Sequence, residues 1–250
     1  MIVIRGRAVT FGEVWFGEQA APPPDVDILI YRQRPAAIEN RACSRFLTLV
    51  NDLTLDEERM LAGFGRTTRY EINRAQGKDG IRASIVAPTT ASLSAFSDFY
   101  DVFAGQKSVE RIYRRGLWAA SEAGQLVLSA AFREDEVLVW HAYIVWEDCA
   151  ALLYSASHLP LMAKSDRALT SRANRWLHWQ DMLAFKQQGF ERYDWGGLFE
   201  DESAPERAGI NRFKCDFGGS RDVTYNCTFS VTAKGRLYLM CRHTFGYFLG

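Results

Sequence analysis

Asp194 and Lys214 stand where side-chain chemistry would be most useful in this chain. Asp194 follows Phe190-Glu191-Arg192-Tyr193 and precedes Trp195-Gly196-Gly197. A strand read over residues 191–195 puts it at a carboxyl end, where open α/β sheets form crevices. A carboxylate there can accept a proton from an amine or orient it. It can equally cap the glycine turn by accepting backbone N–H groups. Gly196 and Gly197 suit either a tight turn or the close approach of a ligand to the backbone. Lys214 lies in Phe213-Lys214-Cys215-Asp216 on a short helix and, taken alone, reads as a solvated lysine. Phe213 and Phe217 are four apart and share a face, with Ile210 as a further apolar partner. They should anchor that helix while Lys214 points about 100° away from Phe213. Cys215 adjoins a cation that would lower its pKa, but no histidine is near it in sequence and an inert thiol is preferred. The four histidines, at 141, 158, 178 and 243, are scattered. His141, inside Val139-Trp140-His141-Ala142-Tyr143, reads first as a hydrogen-bonded core residue and second as a base. His158 closes a strand and is better placed for chemistry. Trp195 and Tyr154 could line a pocket, and core packing explains them equally well.

The elements that must hold these residues fit one large domain, or a domain with a smaller lobe. Of 250 residues, 48% are hydrophobic and 13% aromatic, enough for a real core. Lys plus Arg and Asp plus Glu are both 30. That balance argues against a surface devoted to nucleic acid or anionic lipid, while leaving room for a local basic groove. The start, MIVIRGRAV, carries Arg5 and Arg7 and is not expected to be a signal peptide. The uncharged run Cys149 to Ala163, which no other exceeds, is too short and polar to span a bilayer. The 5 cysteines are odd in number and show no C-x-x-C spacing. They read as reduced cytosolic thiols with neither a disulfide frame nor a zinc site.

Short strands are expected at 2–4, 14–16, 27–31 and 45–50. Asp56 caps a helix over 57–76 with Leu61, Phe64, Thr68 and Ile72 on one stripe. From residue 81 the pattern is a strand to Ala87, a helix to about Ala104 and a second helix over 108–123. Strands at 125–132, 137–146 and 150–157 follow, and their short polar turns make them antiparallel neighbours. A long helix over 166–188 leads to the strand at 191–195. A helix over 205–217 and a strand over 222–231 come next, and residues 235–248 favour a helix.

Three segments give the chain a family resemblance. They are Tyr193-Asp194-Trp195-Gly196-Gly197, then Gly209-Ile210-Asn211-Arg212-Phe213-Lys214-Cys215-Asp216-Phe217-Gly218-Gly219, and Thr68 to Ala75 followed by Gly80-Ile81-Arg82. Together with the element order β-α-α-β-β-β-α-β-α-β, they resemble the Fem branch of the GNAT acyltransferase superfamily, whose members transfer peptidyl or aminoacyl groups. The likeness covers residues 66–232. It implies an α/β fold: a GNAT-like mixed, mostly antiparallel sheet flanked by helices and splayed between its fourth and fifth strands. Residues 1–65 would form a reduced N-terminal lobe and residues 66–250 the GNAT-like domain. The longer Fem enzymes carry two complete copies, and only one fits here.

The resemblance implies acyl or aminoacyl transfer to an amine, with Lys214 stabilising the oxyanion of the tetrahedral intermediate. The expected catalytic set is Lys214, Asp194 and His158. The expected substrate-binding set is Tyr154, Ser155, Trp195, Gly196, Gly197, Phe213, Arg69 and Arg74. No bound cofactor or metal is expected. The donor would be aminoacyl-tRNA or acyl-CoA, the acceptor a small-molecule or nucleotide-linked amine, the location cytoplasmic. CoA-using relatives bind pyrophosphate through a glycine-bearing loop before the crossover helix. No glycine lies between Gly124 and Gly189 here, which favours a donor other than CoA. Basic groups around Arg66–Arg82, Lys107–Arg115 and Lys164–Arg175 could meet the phosphates of a nucleotide or a tRNA acceptor end, although such runs are usually solvated helix faces. The alternatives are a CoA-dependent N-acyltransferase acting on an amino-sugar or amino-acid amine, and a non-catalytic binding protein on the same fold.

Overall fold

The computed structural model describes residues 1–17, 23–107, 109–157 and 164–245. In chain order the elements are β1 (Ile2–Arg5), β2 (Thr10–Trp15), β3 (Ile28–Arg34), β4 (Cys43–Asp52), α1 (Glu57–Gly63), α2 (Arg66–Gly77), β5 (Ile81–Val86), α3 (Thr90–Lys107) and α4 (Arg114–Glu122). Then come β6 (Leu126–Arg133), β7 (Glu136–Trp146), β8 (Cys149–Ser157), α5 (Lys164–Gln187), β9 (Arg192–Gly197), α6 (Pro205–Cys215), β10 (Ser220–Ser230) and α7 (Ala233–Phe245). They form two compact units. One draws on Met1–Thr48, Tyr113–Gln125 and Asp222–Gly250, the other on Leu49–Ile112 and Leu126–Arg221.

The first unit holds the strand order β1-β2-β3-β10-β4. β1 pairs with β2 and β3 with β10 antiparallel, while β2 and β3 run parallel. Its core collects Val14, Val26, Leu29 and Tyr31 around Cys227. Cys227 is joined to Cys43 in a disulfide between β10 and β4. This corrects the expectation of five reduced thiols. Cysteines separated by 184 residues give no spacing signal, and only the strand order makes them neighbours. The crosslink closes a long loop, so Cys43→Ser should cost about 3 kcal/mol of stability. Urea melts with and without reductant read this directly: the wild type should fall to the variant's level once reduced.

The second unit carries the candidate site. Its strand order is β4-β9-β8-β7-β6-β5. β5 to β8 form the expected antiparallel run, and β9 adds in parallel to β8 after the α5 crossover. The turn residues Glu134 and Glu147 take positive φ of 54° and 49°, as tight polar hairpins require. Alternation along the strands divides the side chains between two faces. Trp140 and Tyr154 meet Phe96 of α3, whereas His141 and Tyr143 meet α5.

Two helical expectations change. The single helix over 57–76 is two helices: Phe64 is extended with ψ 148°, and the Gly65 N–H leaves the helix to bond Asp216 O at 2.7 Å. A tertiary partner outcompetes the local ladder. The second helix of the α3–α4 pair starts at Arg114 rather than 108. Ile112 N bonds Asp101 Oδ1 at 3.2 Å instead of a helical carbonyl. Asp56 caps α1 as read, accepting from Arg59 N at 2.8 Å.

Candidate active site

β8 and β9 begin side by side and then part. Their ladder covers Cys149↔Arg192, Ala150↔Tyr193 and Ala151↔Asp194, and among the described residues goes no further. At the parting point Gly196 has φ +66°, and an added Cβ would sit 2.8 Å from Leu152 O. Only glycine lets the two backbones pass there. Asp194, 3% exposed, accepts the Gly196 N–H at 2.7 Å. The capping reading of this carboxylate is therefore realised in the turn.

α6 brings Lys214 to the same turn. Proline at its first helical position and the buried Asn211 set it in place. The Asn211 amide donates to Phe199 O at 2.8 Å and Glu202 Oε1 at 2.7 Å, and accepts from Phe199 N at 3.0 Å. Phe213 and Phe217 anchor the helix as expected, with ring centroids 5.6 Å apart, and both pack on Trp195 and His178. Ile210 does not join them; it is 44% exposed, because the helix buries only its aromatic edge. Lys214 Nζ donates to Gly197 O at 2.7 Å. Burial lowers the Lys214 pKa from 10.5 to about 8, against the opposing pull of Asp194 and Cys215. A half-buried ammonium held beside a carboxylate and a turn carbonyl still has two N–H donors to offer.

The other expected site residues are placed as follows. Trp195 is 1% exposed. Its Nε1 donates to Asn51 Oδ1 at 2.6 Å, and Asn51 Nδ2 donates to Phe217 O at 2.8 Å. It thus locks β4, β9 and the end of α6 into one frame. Tyr154 turns to the α3 face, edge-on to Tyr100 at 4.9 Å, so the two aromatics are not brought to one wall. Ser155 lies opposite His141 in the β7–β8 ladder. His158 lies outside the described residues. The Arg69 guanidinium donates to the carbonyls of Ala62 and Phe64 at 3.1 and 2.6 Å, closing the end of α1. Arg74 holds Tyr70 Oη at 3.4 Å and pairs with Asp79 at 3.7 Å. Arg172 also pairs with Asp79, and Arg175 with Glu71 at 3.0 Å. These arginines carry structural bonds; among the described residues none hydrogen-bonds the Lys214–Asp194 turn, although Arg175 lies over the Phe213 ring at 4.8 Å.

Sequence reading missed a polar chain beneath the sheet. Asp181 Oδ2 accepts from Tyr143 Oη at 2.6 Å and meets His141 Nδ1 at 2.8 Å. Tyr143 Oη lies 2.8 Å from Tyr193 Oη, which lies 2.7 Å from His178 Nδ1. Asn174 meets His141 Nε2 at 2.8 Å. His141 is thus the hydrogen-bonded core residue expected. Burial raises the Tyr143 and Tyr193 pKa values well above 10. The signal was present in α5: Asn174, His178 and Asp181 recur at helical spacing within its apolar stripe.

No protein-family model matches this chain, and no curated protein matches its sequence. Solved structures do resemble it. FemX aligns at 12% identity and TM-score 0.59 over 78% of this chain and 63% of FemX, so the chain spans less than two thirds of that protein. The C-terminal domain assigned to a lysylphosphatidylglycerol synthetase from Agrobacterium fabrum aligns at 12% identity and TM-score 0.55, covering 88% of this chain and 72% of that one. L-PGS from Bacillus licheniformis gives 12% and 0.54 over 88% and 74%. At such identities the likeness speaks of architecture, and the parted β8–β9 pair after a helical crossover agrees with it. The chain has the fold of FemX, a GNAT-like mixed sheet flanked by helices.

Proposed function

We propose that this protein transfers an acyl or aminoacyl group from an ester or thioester donor to an amine. One observation carries the reading: Lys214 reaches from α6 to the Gly196-Gly197 turn, where β9 leaves β8. A neutral amine attacking an acyl carbonyl puts negative charge on the carbonyl oxygen. The Lys214 ammonium would receive that charge through its remaining N–H donors, and Asp194 would keep it protonated. The turn carbonyl fixes the ammonium before substrate arrives, so little reorganisation is needed at the transition state. His158 and the residues Tyr154, Ser155, Gly197 and Phe213 remain candidates for contact with donor or acceptor.

Aminoacyl-tRNA is the preferred donor. The segment before α5 has no glycine to cradle a pyrophosphate, and one structural neighbour is assigned to a lysylphosphatidylglycerol synthetase, a name that specifies an aminoacyl product. Such a donor goes with a cytoplasmic site of action. No described helix is long and apolar enough to cross a membrane. The Cys43–Cys227 disulfide would be unusual in the cytosol; alkylation of free thiols at lysis, followed by mass spectrometry, decides its state in cells.

The test sets radiolabelled charged tRNA beside acetyl-CoA, each offered with amino-sugar and amino-acid amines. Transfer from charged tRNA is expected, and calorimetry should find no acetyl-CoA binding near 1 μM, about −8 kcal/mol. Tight acetyl-CoA binding with acetyl transfer would move the protein to the CoA-dependent class. Ligand binding without turnover, unchanged by Lys214→Ala, would make it a binding protein.

A further inference from the structure

The polar chain under the sheet has a direction. Asp181 Oδ2 ends it as the acceptor of the Tyr143 hydroxyl, so Tyr143 gives its single proton to Asp181. Each short contact needs one proton between its heavy atoms. Tyr143 oxygen therefore accepts from Tyr193, whose oxygen in turn accepts from the Nδ1–H of His178. A neutral His178 with its proton on Nδ1 carries a bare lone pair on Nε2. Among the described residues His178 makes one hydrogen bond, on Nδ1, and none on Nε2. The ring is packed against Trp195 at 4.4 Å and Phe213 at 5.7 Å, the immediate neighbours of Gly196 and Lys214.

We propose that His178 is the base that takes the proton from the acceptor amine, with Tyr193, Tyr143 and Asp181 holding its Nε2 free for the task. The inference rests on the acyl-transfer reading above. The amine nitrogen bonds to the carbonyl carbon, and the carbonyl π pair moves to oxygen. The N–H proton passes to Nε2. The oxygen pair then re-forms the carbonyl, the bond to the ester oxygen or thioester sulfur breaks, and that leaving atom takes the proton from His178. The products are an amide and an alcohol or thiol, and the base is restored. Burial, with His141 stacked at 4.1 Å and the charges of Lys214 and Arg175 nearby, keeps the His178 pKa well below 6.5. His178 is therefore neutral at physiological pH, as a base must be before it acts.

Two measurements test this. The first needs no substrate: 15N NMR of histidine-labelled protein should show His178 in the Nδ1–H form, and Tyr193→Phe should release it into a mixture of tautomers. An Nε2–H ring in the wild type overturns the proposal. The second compares wild type, Tyr193→Phe and His178→Gln in transfer from charged tRNA or acetyl-CoA to the same amines, per molecule shown folded by its melting curve. His178→Gln should lower kcat on the order of 100-fold with KM nearly unchanged. Tyr193→Phe should lower it less, because its ring and packing remain. If His178→Gln keeps wild-type kcat, His178 is structural. If the wild type transfers from neither donor, the acyl-transfer reading fails and the base role falls with it, whatever the tautomer.

Discussion

Lys214→Met should raise the stability of this protein at pH 7 while lowering its turnover on the order of 100-fold. The pKa of Lys214 drops from 10.5 to about 8, with burial as the leading cause. The folded state thus holds this proton less tightly than the unfolded chain does. Between pH 8 and 10.5 the unfolded chain binds more protons, so stability rises with pH across that window, and below it the cost of the buried charge is present in full. That cost is about 3 kcal/mol by linkage. The bond to Gly197 O offsets about 1 kcal/mol of it. Methionine keeps the apolar stem but removes the charge and the bond, so the variant should gain about 2 kcal/mol at pH 7 and be about 1 kcal/mol less stable than wild type near pH 11. Turnover of the wild type should fall as pH rises through about 8 and the ammonium is lost, whereas the residual turnover of the variant should lack that limb. Melting curves and rates over pH 6–11 provide the check. A variant that melts earlier than wild type and keeps its turnover would make Lys214 a structural residue.

Gly218→Ala should be among the most damaging single substitutions to stability in the second unit, at about 3 kcal/mol. Gly218 sits at φ +69°, and a Cβ there would be 2.7 Å from Gly63 O and 3.1 Å from Gly63 C. Both atoms are backbone, so neither can swing aside. The left-handed conformation alone costs a non-glycine residue about 1–2 kcal/mol, and the clash adds to it. Gly80 supplies the control: its φ is +65°, yet nothing lies within 4 Å of an added Cβ. Gly80→Ala should therefore lose only about 1 kcal/mol. Equal losses in urea melts of the two variants would show that conformation, and not the approach of α1, makes Gly218 necessary. The turn matters to the site because the preceding Phe217 carbonyl receives Asn51, which also holds Trp195.

By itself, the sequence determined the elements whose signals are local. The hairpins β6–β7–β8 follow from alternating apolar runs broken by two or three polar residues. The α5 crossover follows from its stripe, and α6 from Phe213 and Phe217 at a spacing of four. The Asp194–Gly197 and Phe213–Gly219 segments also pointed to the fold and brought Lys214 and Asp194 to notice. Tertiary structure decided what depends on partners distant in the chain. Asp216 breaks the 57–76 helix at Gly65, Asp101 delays α4, and strand order alone makes Cys43 and Cys227 neighbours. Arg69 and Arg74 look like phosphate ligands in a one-dimensional reading, yet they are drawn to α1 carbonyls and Asp79. The chain from Asp181 to His178 joins β7, α5 and β9. No single segment shows it, because a hydrogen bond reports only distance and direction, which the order of residues along a chain does not contain.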